Sequence, residues 1–422
     1  MPPARVPASF PALAGFVPRR RDGVLEFPVH HMRGGTSTGL VIHDRAAPAE
    51  LALKEELLRH LMGLPLNGTR RGNRQITGLG RGAPTSNKVF FAELEPDGTP
   101  RMVSTLAQLA ADTAAIDWSV NCGNMSAALP LWALDTGLLS RPAGAGRFET
   151  VIRNTNTGVL ATARMVFDAA GQPETAEIPG VDGAFPAVDL SLADPVGAKT
   201  GRLLPTGNRT DRAGGVTVSC VDVAVPMVIV PAEAFGRSVH EPIEALESDP
   251  ALMEALRAMW VEAGLAMGLA GRGGHKLTAE DLARSETIPK VCLVGPPAAG
   301  GHIAARYFTP QTGHRSMAVS GGCCLAAAAL IPGTTAHAVA RGLPAPGNTF
   351  AEIAIGIENP AGILAAKIDA SAAPDGLELR QAAYTRSAQI LLRGHVPLTR
   401  ASSALAAALD TIIANTTTRA AA

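Results

Sequence analysis

The sequence predicts a mixed α/β chain of two pseudo-symmetric domains, each a mixed sheet wrapped around one central buried helix. Two observations predict it. The run at 127–139 (Ala127, Ala128, Leu129, Leu131, Trp132, Ala133, Leu134) has almost no polar face, and a helix apolar all round belongs inside a domain. Past residue 214 the order of elements starts again and reaches a second such run at 325–331, as a duplicated unit would. The expected boundaries are a loose N-terminal tail at 1–22, a first domain at 23–200, a second at 201–400, and a C-terminal helix and tail at 401–422.

Composition narrows the function. A chain of 422 residues is long enough for two or three domains with their own cores. Its formal net charge is zero and its aromatic content 4%, so neither an electrostatic footprint for nucleic acid nor a base-stacking platform is evident. The five cysteines (Cys122, Cys220, Cys292, Cys323, Cys324) form no metal-ligand spacing and no disulfide framework. That usage fits a reducing cytoplasm, and no window approaches a membrane span. Five prolines in residues 1–22 interrupt any helix or signal-like core there.

In the first half, a short strand (Val24, Leu25, Phe27) leads to Met32-Arg33-Gly34-Gly35-Thr36-Ser37-Thr38-Gly39 and a second strand, Leu40-Val41-Ile42. A Gly/Thr/Ser turn exposes backbone N–H groups beside the fixed cation Arg33, which suits a carboxylate or phosphate, or serves as an ordinary hairpin. His30 and His31 are strand neighbours on opposite faces and make no metal site. Residues 49–62 carry apolar positions at helical spacing, hence a surface helix. A Gly/Arg loop at 63–85 lacks the lysine of a phosphate loop. It ends in Thr85-Ser86-Asn87-Lys88 and the strand Val89-Phe90-Phe91. Lys88 is either a solvated strand-end lysine or, if desolvated at that edge, a candidate general base. A strand around 101–110 precedes Ser119-Val120-Asn121-Cys122-Gly123-Asn124-Met125-Ser126, which opens the buried helix. A cysteine at a helix start meets free N–H groups that attract anions; the alternative is a small buried hydrophobe. Strands at 148–154 and 159–167 flank a strong turn at 154–158, and the Gly/Pro/Asp-rich run 179–210 reads as the inter-domain connection.

In the second half, paired strands at 216–230, helices at 231–267, a capped helix from Thr278 and a strand at 288–294 follow in the same order. Val319-Ser320-Gly321-Gly322-Cys323-Cys324 then opens the second apolar helix. Aligning the two helix openings places Gly321 beneath Cys122 and Lys290 close beneath Lys88. Cys323 and Cys324 read as packing residues. A two-base racemase needs an acid/base group on each face of the substrate carbon, and the second half offers glycine there.

The motifs Met32-Arg33-Gly34-Gly35-Thr36-Ser37, Thr85-Ser86-Asn87-Lys88-Val89, Asn121-Cys122-Gly123-Asn124 and Gly313-His314-Arg315 together resemble the PrpF family. That family holds 2-methylaconitate cis-trans isomerases, 4-oxalomesaconate tautomerases and methylitaconate delta-isomerases. The resemblance spans about residues 24 to 400, with Asn87 standing where relatives often carry serine. It implies a diaminopimelate-epimerase-like fold and a cofactor-independent isomerase of small unsaturated di- or tricarboxylates, with neither metal nor organic cofactor. Lys88 and Cys122 match the family's acid/base pair. Arg33, Gly35, Thr36, Ser37, Ser86, Asn87, Asn121, Gly123, Asn124, His314, Arg315, Ser320, Gly321 and Gly322 are the candidate substrate-binding residues. The expected partner is the small-molecule acid, with no nucleic acid or membrane and with a homodimer as the candidate assembly. The rival readings are a two-base amino-acid epimerase and a non-catalytic carboxylate-binding accessory protein. A thiol oxidoreductase lacks its CxxC pair.

Overall fold

The computed structural model describes residues 16–95, 99–271, 274–373 and 376–420. Two compact units emerge, one of Met1–Glu177, Gly183–Leu190 and Arg386–Ala422, the other of Ile178–Asp182 and Ser191–Thr385. Of the expected N-terminal tail, residues 1–15 lie outside the described residues, while β1 (Arg19–Arg21) pairs antiparallel with β2 (Val24–Gly34).

In the first unit β2 and β3 (Ser37–His43) form the tight hairpin the Gly/Thr turn predicts. The helix α1 (Leu51–Met62) follows, closed by Gly63 in the left-handed conformation. Then β4 (Lys88–Leu94) returns parallel to β3, and β5 (Met102–Leu109) runs antiparallel to β4. A two-residue strand β6 (Ile116–Asp117) pairs with the end of β5. The buried helix comes next as α2 (Gly123–Ser126) and α3 (Ala128–Asp135), joined at Ala127, which itself has helical angles. It stops short of the expected residue 139, where Thr136 hydroxyl bonds back to Trp132 O and Gly137 turns left-handed. After it, β7 (Gly146–Asn154) lies parallel to β5 and β8 (Leu160–Phe167) antiparallel to β7. The parallel pairs exist because a helix crosses over between each of them.

The run at 179–210 is more than a connection. It contains β10 (Phe185–Ala193), which follows the short β9 (Thr175–Ala176) and pairs with β8, β9 and β19 (Gly376–Pro397). With β19 also paired to β2, the ladder β8-β7-β5-β4-β3-β2-β19-β10 returns to its start. Every strand of that ring sends a side chain to the helix: Met32, Val41, Phe90, Met102, Ile152, Met165, Val188 and Ala388 pack with Met125, Leu129 and Trp132. On the outer faces Leu40, Val89 and Phe91 pack with Leu57 and Leu61 of α1 and with Leu405 and Leu409, from a C-terminal helix.

The second unit repeats the order. The short β11 (Asp211–Ala213) precedes β12 (Val216–Val223) and β13 (Val225–Pro231), a second antiparallel hairpin. Helices α4 (Ile243–Glu247), α5 (Pro250–Ala266) and α6 (Ala279–Arg284) lead to β14 (Lys290–Gly295), parallel to β13. Thr278 and Asp281 cap α6 reciprocally, as their spacing predicts. β15 (Ile303–Thr309), β16 (Thr312–Gly313), α7 (Val319–Leu330), α8 (Thr335–Val339), β17 (Ala351–Asn359) and β18 (Gly362–Ala373) complete it. β15–β17 is parallel, β17–β18 antiparallel, and α7 is enclosed by Val221, Met227, Cys292, Ala305, Ile355, Ile368 and Tyr384. The predicted class, a mixed sheet around one buried helix in each of two alike units, is the observed one. The C-terminal α9 (Ser403–Ala420) belongs to the first unit.

Candidate active site

The mouth of the first unit's ring, at the start of its buried helix, gathers Cys122, Asn124, Thr36, Ser37 and Lys88 of the predicted residues of that unit, whereas the Asn87 amide is committed to its own loop. Cys122 is the N-cap of α2 and is half-buried. Its Sγ donates to Ser37 Oγ at 3.9 Å, its N–H to Asn121 Oδ1 at 2.7 Å, and its carbonyl accepts from Ser126 Oγ at 3.0 Å. Asn121 is exposed and Gly123 half-buried as the first helical residue. Asn124 Nδ2 donates to Thr36 Oγ1 at 3.3 Å, tying the helix to the hairpin turn. The turn is glycine for a steric reason. A Cβ on Gly34 would stand 2.5 Å from Asn124 O and 2.9 Å from Met125 Cα, and one on Gly35, at φ +54°, 2.6 Å from Asn124 Oδ1.

Lys88 opens β4 and is only 6% exposed. It shares the inner face with Phe90 and Ala92. β3 passes it as Gly39, where a Cβ would overlap the Lys88 carbonyl oxygen. Burial lowers the lysine's proton affinity below the ordinary 10.5, while the Cys122 thiol acts in the opposite direction. A buried amine beside a thiol therefore replaces the solvated strand-end lysine that residues alone allowed.

Arg33 is buried, and burial lowers its proton affinity. Its Nη1 donates to Gly35 O (2.9 Å), Ser387 O (3.1 Å) and Ser387 Oγ (3.2 Å), and its guanidinium lies 4.6 Å over the Phe185 ring. Its Nη2 is buried with no hydrogen-bond partner among the described residues. Asn87 is fully buried, with its amide engaged by the loop: Nδ2 donates to Gln75 Oε1 (2.9 Å) and Gly82 O (3.1 Å), and Oδ1 accepts from Arg81 N. Ser86 ends the 3-10 turn Pro84–Ser86 just before it.

The second unit's predicted residues form their own group. His314 Nδ1 accepts from Ser316 N at 3.0 Å, and its ring meets Tyr307 edge-on at 5.8 Å. Arg315 is exposed and paired with Glu244 at 3.3 Å. α7 starts at Val319 with Ala318 as its cap. Ser320, Gly321 and Gly322 thus lie within its first turns, whereas Cys122 caps its helix from outside. Gly321 and Gly322 face Tyr307 and Tyr384, whose ring carbons would stand 2.5 Å from an added Cβ. Cys323 and Cys324 are buried in the core, as expected of packing residues.

Sequence reasoning missed Gln108, Ser387, Phe185 and the buried Arg386, whose Cδ would stand 3.1 Å from a Cβ on Gly35. They reach the mouth through strand register and through a β19 that returns from the far end of the chain, neither of which leaves a local signal. His30 and His31 do point apart: His30 faces Asp135 at 3.3 Å, while burial and then Arg81 lower His31 to about 4. Among the described residues no group of three or more His, Cys, Asp or Glu is placed to hold a metal ion. No described helix is long and apolar enough to cross a membrane.

The family model described as PrpF protein matches residues 24–399. The chain belongs to the PrpF family. Among its PrpF relatives, the 4-oxalomesaconate tautomerase of Pseudomonas putida is 35% identical over 75% of this chain and 83% of its own. The (4E)-oxalomesaconate Delta-isomerase of Novosphingobium sp. is 28% identical over 90% of this chain and 99% of its own. The crystal structure of methylitaconate-delta-isomerase superposes with a TM-score of 0.72 at 26% identity, covering 88% of this chain and 95% of that one. PrpF relatives thus carry isomerase and tautomerase names, in agreement with the enzyme class the motifs imply.

Proposed function

We propose that the protein is an isomerase of small unsaturated di- or tricarboxylic acids that moves an allylic proton, with Lys88 as base and Cys122 as its acid partner. The observation that carries this reading is Lys88 itself: a buried amine, its proton affinity lowered, electrostatically coupled to a thiol at a helix cap. Desolvation makes a lysine basic near neutral pH, where a solvated one is already protonated. The printed names of the oxalomesaconate relatives support the substrate class.

The steps balance without an external reagent. Neutral Lys88 takes a proton from the carbon allylic to the double bond, and the C–H electron pair enters the conjugated system as a dienolate. Its negative charge rests on a carboxylate oxygen. The former double bond then has single-bond character and rotates, or the proton returns at the other terminus and the double bond shifts by one position. The returning proton comes from the Lys88 ammonium, or from the Cys122 thiol, whose thiolate then takes the proton held by Lys88 and restores the starting pair. Arg33, a buried cation with an unpartnered Nη2 among the described residues, suits a substrate carboxylate. Thr36, Ser37 and Asn124 add neutral hydrogen-bonding groups beside it. The two-base epimerase reading is the weaker one, because the second unit's helix is capped by Ala318 and its own thiols are core residues.

The test is solvent exchange. In deuterated water, 4-oxalomesaconate, 2-methylaconitate and methylitaconate are followed by NMR with the parent protein and with Lys88→Met. Deuterium should enter the allylic position of at least one acid as its isomer forms, and Lys88→Met should lower that rate by about 10²–10⁴-fold. Turnover within a few-fold of parent removes Lys88 from the mechanism. Binding of all three acids without exchange makes the protein a carboxylate-binding accessory.

A further inference from the structure

We propose that Gln108 is the positioning residue of Lys88, holding its amine in place with a neutral amide where a carboxylate would lock it as ammonium. This rests on Lys88 being the base of the isomerase reading above. In the antiparallel β4–β5 ladder Lys88 lies directly opposite Gln108. Partners so placed carry their side chains on the same face, with Cβ atoms about 4.5–5.5 Å apart. The Gln108 Nε2 donates to Asn87 O at 3.1 Å and Leu109 O at 3.3 Å, one of them the carbonyl of the residue before Lys88. The amide plane is therefore fixed to the main chain, and its oxygen is the end that can face the lysine.

The row continues one strand further, since Gln108 is paired with Asp117 on β6. The second unit has the same architecture without this chemistry. Val291 is opposite Phe308, so the next rung sets Lys290 against Thr309, and Thr309 is paired with Thr312. The two rows read Lys-Gln-Asp and Lys-Thr-Thr across equivalent strands. Only the row beside the capping Cys122 carries an amide.

Among the described residues, the helix start presents Cys122 to Lys88, β3 the neutral Gly39, and β5 Gln108. Asp117 lies beyond it, its Oδ1 accepting from Ser119 N (2.8 Å) and Ser119 Oγ (2.6 Å). An amide at 108 leaves the amine free to lose its proton, whereas a carboxylate of the same shape would favour the ammonium.

The decisive variant is Gln108→Glu in the full chain, with two readouts. One is the pH profile of kcat/KM. The other is the titration of Lys88 itself, by competitive acetylation with acetic anhydride read by peptide mass spectrometry, which needs no turnover. Gln108→Glu should move the Lys88 titration up by about one pH unit or more and carry the alkaline-rising limb of kcat/KM with it, about tenfold loss at pH 7 being recovered at higher pH. Gln108→Leu should lower kcat with KM held and without raising the titration. A Lys88 titration in Gln108→Glu that coincides with the parent's overturns the proposal. If that variant has no thermal unfolding transition, a folded Gln108→Leu with parental kcat overturns it instead. A raised titration with unaltered turnover upholds the Gln108 assignment and removes Lys88 as the base, so the two readings fail separately.

Discussion

Two lysines open equivalent strands in unlike surroundings. Lys290 is pushed down to about 8 by burial alone, with no charged partner contributing, while Lys88 has the Cys122 thiol working against its burial. A lysine whose folded value lies below its unfolded 10.4 is a destabilising charge at low pH. That cost is fully present below about pH 8 and disappears as pH rises from there toward 10.4, because the unfolded chain holds the proton longer. Lys290→Met should therefore raise stability at pH 7 by on the order of 2 kcal/mol, with the gain fading by pH 10. Denaturant titrations at the two pH values check it, and an equal gain at both would mean packing rather than charge. At this scale the positions of Lys88 at a strand start and Cys122 at a helix start were legible as local patterns, but the burial of Lys88 was not, since the residues alone equally allowed a solvated strand-end lysine. Gln108 was illegible, because what gives it meaning is the strand opposite.

At the scale of elements, the hairpin turn and the helix start are one device. Gly34 and Gly35 let the turn lie on the first turn of α2, and Asn124 fastens it from below. Gly34→Ala should cost about 1–3 kcal/mol, the range of an overpacked core, because the atoms in its way are main-chain and cannot rotate aside. Activity should fall further than the shift in Tm implies, since the displaced residues flank Cys122. Parallel measurement of Tm and kcat/KM tests this, and parental values of both would show that the helix start moves freely. Element reading from sequence did well where periodicity was long, as in α1 and both buried helices. It missed β10, where Gly, Pro and Asp dominate the composition and only Val188 and Leu190 reveal the inward face. The second buried helix does open at Val319-Ser320-Gly321-Gly322, and it is Tyr307 and Tyr384, packed against the two glycines, that leave no room there for a side chain.

The whole molecule carries its five thiols in very unequal settings. Cys122 is half-buried and the other four are buried. Burial pushes Cys220 up to about 12 and raises Cys292 and Cys324 as well. Thiolate is the nucleophile and access decides the rest, so iodoacetamide should add one label per native chain, at Cys122, and a tricarboxylate should slow it. Intact mass and peptide mapping read the outcome; early labelling at Cys323 or Cys324 would place the accessible chemistry in the second unit. The duplicated architecture was readable at this scale because the order of elements, unlike the side chains that fill them, survives in the sequence.

The route of β19 has a consequence for how the chain is made. Its first residues belong to the second unit, yet from Arg386 onward it belongs to the first, pairs with β2 from Ala388 to Pro397 and leads into α9, whose Leu405 and Leu409 cover the first unit's outer face. The first unit, most of it made before the second, therefore lacks a strand of its ring and part of its outer core until residues 386–409 have been translated. The second unit, continuous from 191 to 385 apart from one short piece, is complete sooner. Domains usually fold in the order of synthesis; here the unit that carries Lys88 and Cys122 must wait until the whole of the second has been made and β19 has returned to it.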